Sequence, residues 1–207
     1  MSQPARPPVS GAPWAVVPVK SFARAKSRLD HLAGPDRARL ARSFFEHVLA
    51  AITDSGEIDR ILVATNGDDV ADLARDRGCS VIRDPGEGIR LGDIVDRALG
   101  QVTGDHPVLV LMADLPAVTP AAITQLALAV AEHDVVIAPD RREMGTNALG
   151  LRSPRAMATC FGHDDSFLRH LQRASDHGLR THIQRDPGLA LDIDVPGDHR
   201  ILISRAV

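Results

Sequence analysis

The sequence predicts an α/β fold: a mostly parallel central sheet flanked by helices. Three observations predict it. Short runs rich in Val and Ile alternate with segments of helical period from residue 14 to residue 138. The helical segments are long enough to serve as crossover connections between parallel strands. The run Val108–Met112 is apolar throughout, as expected of a strand buried on both faces rather than one.

Trp14–Val19 reads as the first strand. Asp36–Asp54 follows with Leu40, Ala41, Phe44, Phe45, Val48, Leu49 and Ile52 at helical spacing, one stripe facing a core. Ile61–Thr65 is a second strand, and Asn66-Gly67-Asp68 turns into a helix over Val70–Arg77. Cys79–Arg83 is a third strand and Leu91–Val102 a helix. After Val108–Met112, Thr119-Pro120 caps and starts a helix running to about Glu132. Val135–Ala138 is a fifth strand. The pattern then changes: Asn147–Arg152 reads as a strand, Asp165–His177 as a helix, Thr181–Gln184 as a strand and Pro196–Ser204 as a terminal helix. Residues 1–13 are rich in Pro, Ser, Ala and Gly and read as a flexible lead-in. Residues 14–207 contain no repeat or linker and are expected to form a single domain.

The charge balance excludes some functions. With 24 Lys plus Arg against 27 Asp plus Glu, the net charge is −3, so a general nucleic-acid or anionic-membrane binder is not expected. No apolar run is long enough to span a bilayer. Cys79 and Cys160 fit no zinc or redox spacing and read as buried thiols, which suits a cytoplasmic protein. The nine histidines form no metal motif and read as surface residues.

In open α/β sheets, ligands bind beyond the carboxyl ends of the strands. Several unusual segments fall there. Of the 24 basic residues only two are lysines, Lys20 and Lys26, and both lie in the loop after the first strand, with Arg28 beside them. Lysine is a compact, mobile point charge, so a strand, a basic loop and a helix read as a triphosphate cradle. Two solvated loop lysines are the plain alternative. Asp114, just past the buried fourth strand, is costly to enclose unless paired or bound to a cation. It could equally be a turn or cap residue before Pro116. In Leu191-Asp192-Ile193-Asp194, residues two apart share a face of an extended chain. Two carboxylates side by side repel without a cation, while Ile193 faces the core. The alternative is a helix cap at Asp194. Hard Mg²⁺ prefers carboxylate and phosphate oxygen, so Asp114, Asp192 and Asp194 are the candidate metal ligands. After Ala138-Pro139-Asp140, Gly145 allows close backbone approach and Thr146 and Asn147 offer neutral hydrogen bonds, or the segment is a simple turn before a strand. Phe161-Gly162 and Ser166 could meet a phosphate or carboxylate at a helix start, or Asp165 and Ser166 could merely cap it. The segment Asp84–Gly88 is Gly-rich but short.

Taken together, Pro18-Val19-Lys20, Ala25-Lys26-Ser27-Arg28-Leu29, Asp114-Leu115-Pro116, Ala138-Pro139-Asp140, Gly145–Leu149, Phe161-Gly162 and Asp192-Ile193-Asp194 resemble the CofC/FbiD family, guanylyltransferases of coenzyme F420 biosynthesis. The resemblance covers the chain from Trp14 onward. It implies a Rossmann-like nucleotidyltransferase fold, GTP as co-substrate and Mg²⁺ as cofactor. It implies transfer of GMP to a small phosphorylated carboxylic acid: 2-phospho-L-lactate, phosphoenolpyruvate or 3-phospho-D-glycerate. Lys20, Lys26 and Arg28 are then expected to bind the triphosphate and act in catalysis, with Gly88 on the nucleotide. Thr146, Gly162 and Ser166 look like acceptor positions, and Asp114, Asp192 and Asp194 like metal positions. The family's usual Gly-Leu-Asn is Gly88-Ile89-Arg90 here, and Phe161-Gly162 reaches its Ser one residue later than usual. Both changes lie where the acceptor is read, which tilts the expectation to 3-phospho-D-glycerate, with phosphoenolpyruvate close behind.

An acceptor phosphate is already a nucleophile at neutral pH, so no catalytic base is required, and none of the usual base motifs is present. Rival readings are a nucleotidyltransferase for a sugar phosphate or molybdopterin, a related glycosyltransferase, or a non-catalytic nucleotide-binding domain. The first normally carries a Gly-rich first loop, and residues 18–29 contain no glycine. A homodimer is left open by the sequence.

Overall fold

The structure, a computed structural model, describes residues 11–24, 32–84, 86, 88–104 and 106–193. Lys26, Arg28, Asp194, residues 1–10 of the lead-in and the helix expected over Pro196–Ser204 lie outside the described residues.

The strands are β1 (Trp14–Pro18), β2 (Arg60–Thr65), β3 (Ser80–Arg83), β4 (Val108–Leu111), β5 (Val135–Pro139), β6 (Thr146–Leu151) and β7 (Thr181–Ile183). The helices are α1 (Gly34–Ser55), α2 (Asp68–Asp76), α3 (Leu91–Leu99), α4 (Pro120–Glu132) and α5 (Ser166–Asp176), and a short 3₁₀ turn covers Phe22–Arg24. The strands form one sheet in the order β3-β2-β1-β4-β6-β5-β7. All pairings are parallel except those of β6, which runs antiparallel to both β4 and β5. The expected mostly parallel sheet is therefore present, with one reversed strand inside it.

Strand alternation divides the core between two faces. Ala15, Val17, Val63, Leu109, Leu111 and Val136 pack with the apolar stripes of α1, α2 and α4. Trp14, Val16, Leu62, Val110, Ile137 and Leu149 pack with α3 and α5. Every residue of β1, β4, β5 and β6 is buried, as strands covered on both sides must be. The edge strand β3 is half-buried at Val81 and Ile82 and exposed at both ends, and needs no such covering.

Helix ends follow their local chemistry. Thr119 Oγ1 accepts the Ala122 backbone N–H at 3.2 Å, and Pro120 opens α4, where its missing N–H costs nothing. Asp114 is thus not the cap of α4. α1 ends at Gly56, whose φ of 69° suits a residue without Cβ.

Candidate active site

The reversed strand decides what meets what. β4 and β5 end at the same edge of the sheet, and β6 begins there, with Leu111 opposite Ala148 and Pro139 opposite Thr146. Thr146 and Asn147 therefore reach that edge from the start of a strand, near Asp114, which follows the end of another.

A cleft of about 570 Å³ opens above β1 and β4 and is lined by Lys20, Arg24, Asp84, Ile89, Asp114 and the Gly162–Asp164 segment among others. A second lobe of about 430 Å³ is lined by Asp114, Thr146, Asn147, Gly162, Ser166 and Asp192 among others. Leu91, Met112, Asp114 and Gly162–Asp164 belong to both lobes. Asp114 thus stands at the junction, with Lys20 on one side and Asp192 on the other.

Identifiable contacts hold the segments that carry the candidate side chains. The loop carrying Lys20 is anchored to α2: the Phe22 N–H donates to Asp69 Oδ2 at 2.9 Å, and Ser21 Oγ donates to the same oxygen at 3.3 Å. Gly67 makes that approach possible, since a Cβ there would sit 2.7 Å from Ser21 Cα. Lys20 itself is exposed. On the other side, Leu191 and Ile193 are buried against Phe44, and Asp192 between them turns to the cleft. The face expected for Ile193 is the observed one. Asn147 Nδ2 donates to Leu189 O at 2.9 Å and to Asp192 Oδ1 at 3.4 Å, so the amide orients that carboxylate.

The segment before Asp192 is pressed onto the segment after Asp114. A Cβ on Gly188 would lie 2.3 Å from Ala117 O, closer than any side chain permits. Asp186 Oδ1 accepts the Gly188 and Leu189 amides at 2.8 and 3.0 Å and folds this stretch into a tight turn. Asp114 and Asp192 share a lobe because these two segments touch. Both are hard oxygen donors of the kind Mg²⁺ takes, with waters and phosphate oxygens completing its shell. Among the described residues no group of three or more His, Cys, Asp or Glu side chains gathers closely enough to hold a metal.

Thr146, Ser166 and His170 form a buried network. The Thr146 N–H donates to Ser166 Oγ at 3.0 Å, and Thr146 Oγ1 lies 2.9 Å from His170 Nδ1. His170 Nε2 accepts the Cys160 N–H at 2.8 Å. Ser166 therefore does not cap α5, and Asp165 pairs with Arg169 instead of capping it. Gly162 has a φ of 85°, which favours glycine, and a Cβ there would lie 3.3 Å from Leu91 Cβ, a tight contact.

The structure corrects one sequence expectation. His170, taken for a surface residue, is completely buried, its ring edge-on to Phe161 at 5.0 Å. Burial pushes its pKa down to about 3, helped by the nearby Arg173 and His163 charges. Its place on α5, three residues from Phe167 and four from Ala174, both buried, was the signal that could have revealed it. Asp140 is a turn organiser: its Oδ1 accepts the Arg142 and Met144 amides at 3.1 and 2.9 Å. Gly88 has a φ of 85°, and Asp84 and Ile89 on either side of it line the cleft whereas Gly88 does not. Arg24 lines the first lobe beside Lys20 and was missed because one Arg among many carries no signal. Cys79 and Cys160 are buried free thiols, and burial raises the pKa of both. No helix among the described residues is long and apolar enough to cross a membrane.

Comparison with known proteins accords with this geometry. The family model described as "Guanylyl transferase CofC like" matches residues 14–204. The chain is 39% identical over 197 residues to a phosphoenolpyruvate guanylyltransferase of Sphaerobacter thermophilus, covering 93% of each chain. It is 31% identical over 186 residues to a 2-phospho-L-lactate guanylyltransferase of Methanothermobacter thermautotrophicus, covering 89% of this chain and 81% of that one. A solved nucleotidyl transferase from Methanothermobacter superposes with a TM-score of 0.62 at 18% identity, over 95% of this chain and 98% of the other, a likeness of fold. A two-lobed cleft with Asp114 on both lobes, on a Rossmann-like sheet and in a chain that this family's model matches over residues 14–204, makes the protein a member of the CofC/FbiD family of guanylyltransferases.

Proposed function

We propose that the protein transfers GMP from GTP to the phosphate of a small phosphorylated carboxylic acid and releases pyrophosphate, in the making of coenzyme F420. The observation that carries this is the position of Asp114 on both lobes of the cleft. One lobe, with Lys20 and Arg24, offers cationic partners for a triphosphate. The other, with Thr146, Gly162 and Ser166, offers small neutral donors suited to a compact acid. An in-line transfer needs the two phosphates to face each other, and the junction at Asp114 is where they would.

Lys20, with Lys26 and Arg28 from outside the described residues, neutralises the triphosphate. Asp114, Asp192 and Asp194 are the ligands proposed for Mg²⁺, and a bound Mg²⁺ supplies charge neutralisation at the phosphate oxygens. The chain's contribution is otherwise positioning, and the acceptor phosphate needs no base.

For the acceptor we put phosphoenolpyruvate first, because the 39% identical relative carries that name. 3-Phospho-D-glycerate, favoured by the Gly88–Arg90 and Phe161–Ser166 segments, and 2-phospho-L-lactate are the other candidates. A pyrophosphate-release assay with GTP, Mg²⁺ and each acid in turn tests the reading. Release with at least one acid, highest with phosphoenolpyruvate, is the expected result. No release with any of the three acids would overturn the reaction. A preference for another acid would overturn only the choice of acceptor.

A further inference from the structure

We propose that His170 is a positioning residue that holds the Thr146 hydroxyl as a hydrogen-bond donor toward the cleft, so that Thr146 and Ser166 present two O–H groups to an anionic oxygen of the acceptor acid. The identity of that acid rests on the reaction proposed above. The direction of the hydrogen bonds does not.

The argument runs along a chain of donors and acceptors. A backbone N–H can only donate, so the 2.8 Å contact from Cys160 N makes His170 Nε2 the acceptor. A neutral imidazole has one N–H, and it must then be on Nδ1. The ring is fully buried and its pKa lies near about 3, so it stays neutral at physiological pH. Nδ1–H accordingly donates to Thr146 Oγ1 at 2.9 Å. That oxygen is left with its own hydrogen to give, and Thr146 lines the acceptor lobe. The second hydroxyl follows by the same logic. Ser166 Oγ accepts the Thr146 N–H at 3.0 Å, which leaves the serine hydrogen to be donated, and Ser166 lines the same lobe.

The opposite tautomer would invert the site. With the proton on Nε2, Nδ1 would accept from Thr146, and the hydroxyl would turn a lone pair toward an incoming anion. The Cys160 amide forbids this, because two donors would then face each other. The segment from Cys160 to Gly162 thus does more than place Gly162 against Leu91. Its first amide sets the polarity of the Thr146 hydroxyl through the buried ring that lies between them.

Two measurements test the inference. Long-range ¹H–¹⁵N correlation spectra of the ¹⁵N-histidine-labelled protein read the tautomer directly. The expected result is a protonated Nδ1 and a bare Nε2 at His170. A protonated Nε2 would overturn the proposal whatever the enzyme acts on. The second measurement is kinetic, with phosphoenolpyruvate as the varied acid. His170→Gln keeps an acceptor near the Nε2 position and loses the donor to Thr146. His170→Asn keeps a side-chain N–H near the Nδ1 position. The Gln variant should raise the KM for phosphoenolpyruvate about tenfold with the GTP KM changed less than about twofold, and the Asn variant should recover most of the difference. Thr146→Val combined with His170→Gln should be no worse than Thr146→Val alone, since both remove one directed hydrogen bond. Loss of thermal stability in both His170 variants with an unmoved phosphoenolpyruvate KM would reduce His170 to a packing residue and overturn the proposal. If no acid is a substrate, the reaction above fails while the tautomer still decides this inference.

Discussion

Asp114 lines both lobes of the cleft, and if it holds the proposed Mg²⁺ a change there should act on turnover without harming the fold. It is half-buried at the end of a fully buried strand, and an asparagine fills its volume. Asp114→Asn is expected to lower kcat by about 100-fold or more at saturating Mg²⁺ with a Tm close to wild type, checked by pyrophosphate release and thermal denaturation. Near wild-type turnover would remove Asp114 from the proposed Mg²⁺ ligands. Asn147 acts one step back. Its amide touches Asp192 Oδ1 and Leu189 O, so Asn147→Leu should weaken apparent Mg²⁺ affinity by about 10- to 100-fold, read from the Mg²⁺ dependence of turnover. The hydroxyls differ in kind from these carboxylates. Ser166→Ala is expected to raise the KM for the acceptor and leave that for GTP, and a rise in the GTP KM alone would move Ser166 to the nucleotide side.

Between elements, one contact keeps the C-terminal segment on the sheet. The Gly188 backbone lies against Ala117 O, and any Cβ there must displace either the turn at 186–190 or the loop after Asp114. Gly188→Ala is therefore expected to cost about 1–3 kcal/mol of stability and to reduce turnover, measured by denaturant unfolding and by activity. Unchanged activity would show that Asp114 and Asp192 need not be held together. The reversal of β6 is the other decision made at this scale. A sixth parallel strand would have carried Thr146 and Asn147 to the far edge of the sheet. Running antiparallel, β6 starts where β4 ends, and its first residues join the cleft.

For the whole molecule, burial of His170 couples stability to pH. Its pKa falls from an ordinary value near 6.5 in the unfolded chain to about 3 in the fold. A lowered histidine pKa gives stability that is complete above pH 6.5 and declines as pH falls toward about 3, because the unfolded state takes up the proton first. The slope is about 1.4 kcal/mol per pH unit in that window, so about 2 kcal/mol is lost by pH 5. The Arg173 and His163 charges facing the ring act in the same direction. Urea unfolding at pH 7 and pH 5 should show this difference in the wild type, reduced in His170→Asn. An equal pH response in both would mean that the ring accepts a proton in the folded state.

The layout of the molecule was legible because burial imposes period on sequence. The strands and helices from Trp14 to Ala138 lie where apolar spacing puts them, within a few residues at their ends. The lysine loop and Asp114 were legible for a related reason. A Lys among many Arg, and an Asp after an all-apolar strand, are local departures from a background, and Asp192 beside a buried Ile193 is another. These belong to the sequence by itself, since neighbours along the chain suffice to define them. The rest is decided by contacts between residues far apart. Asn147 meets Leu189, Cys160 meets His170, and Gly188 meets Ala117 across 42, 10 and about 71 residues respectively. The sequence placed Thr146 near a turn and Ser166 at a helix start, and both statements are right. It could not say which way their hydroxyls point. That direction follows from a backbone amide donating to a buried ring, and which amide reaches which ring is a matter of tertiary packing alone.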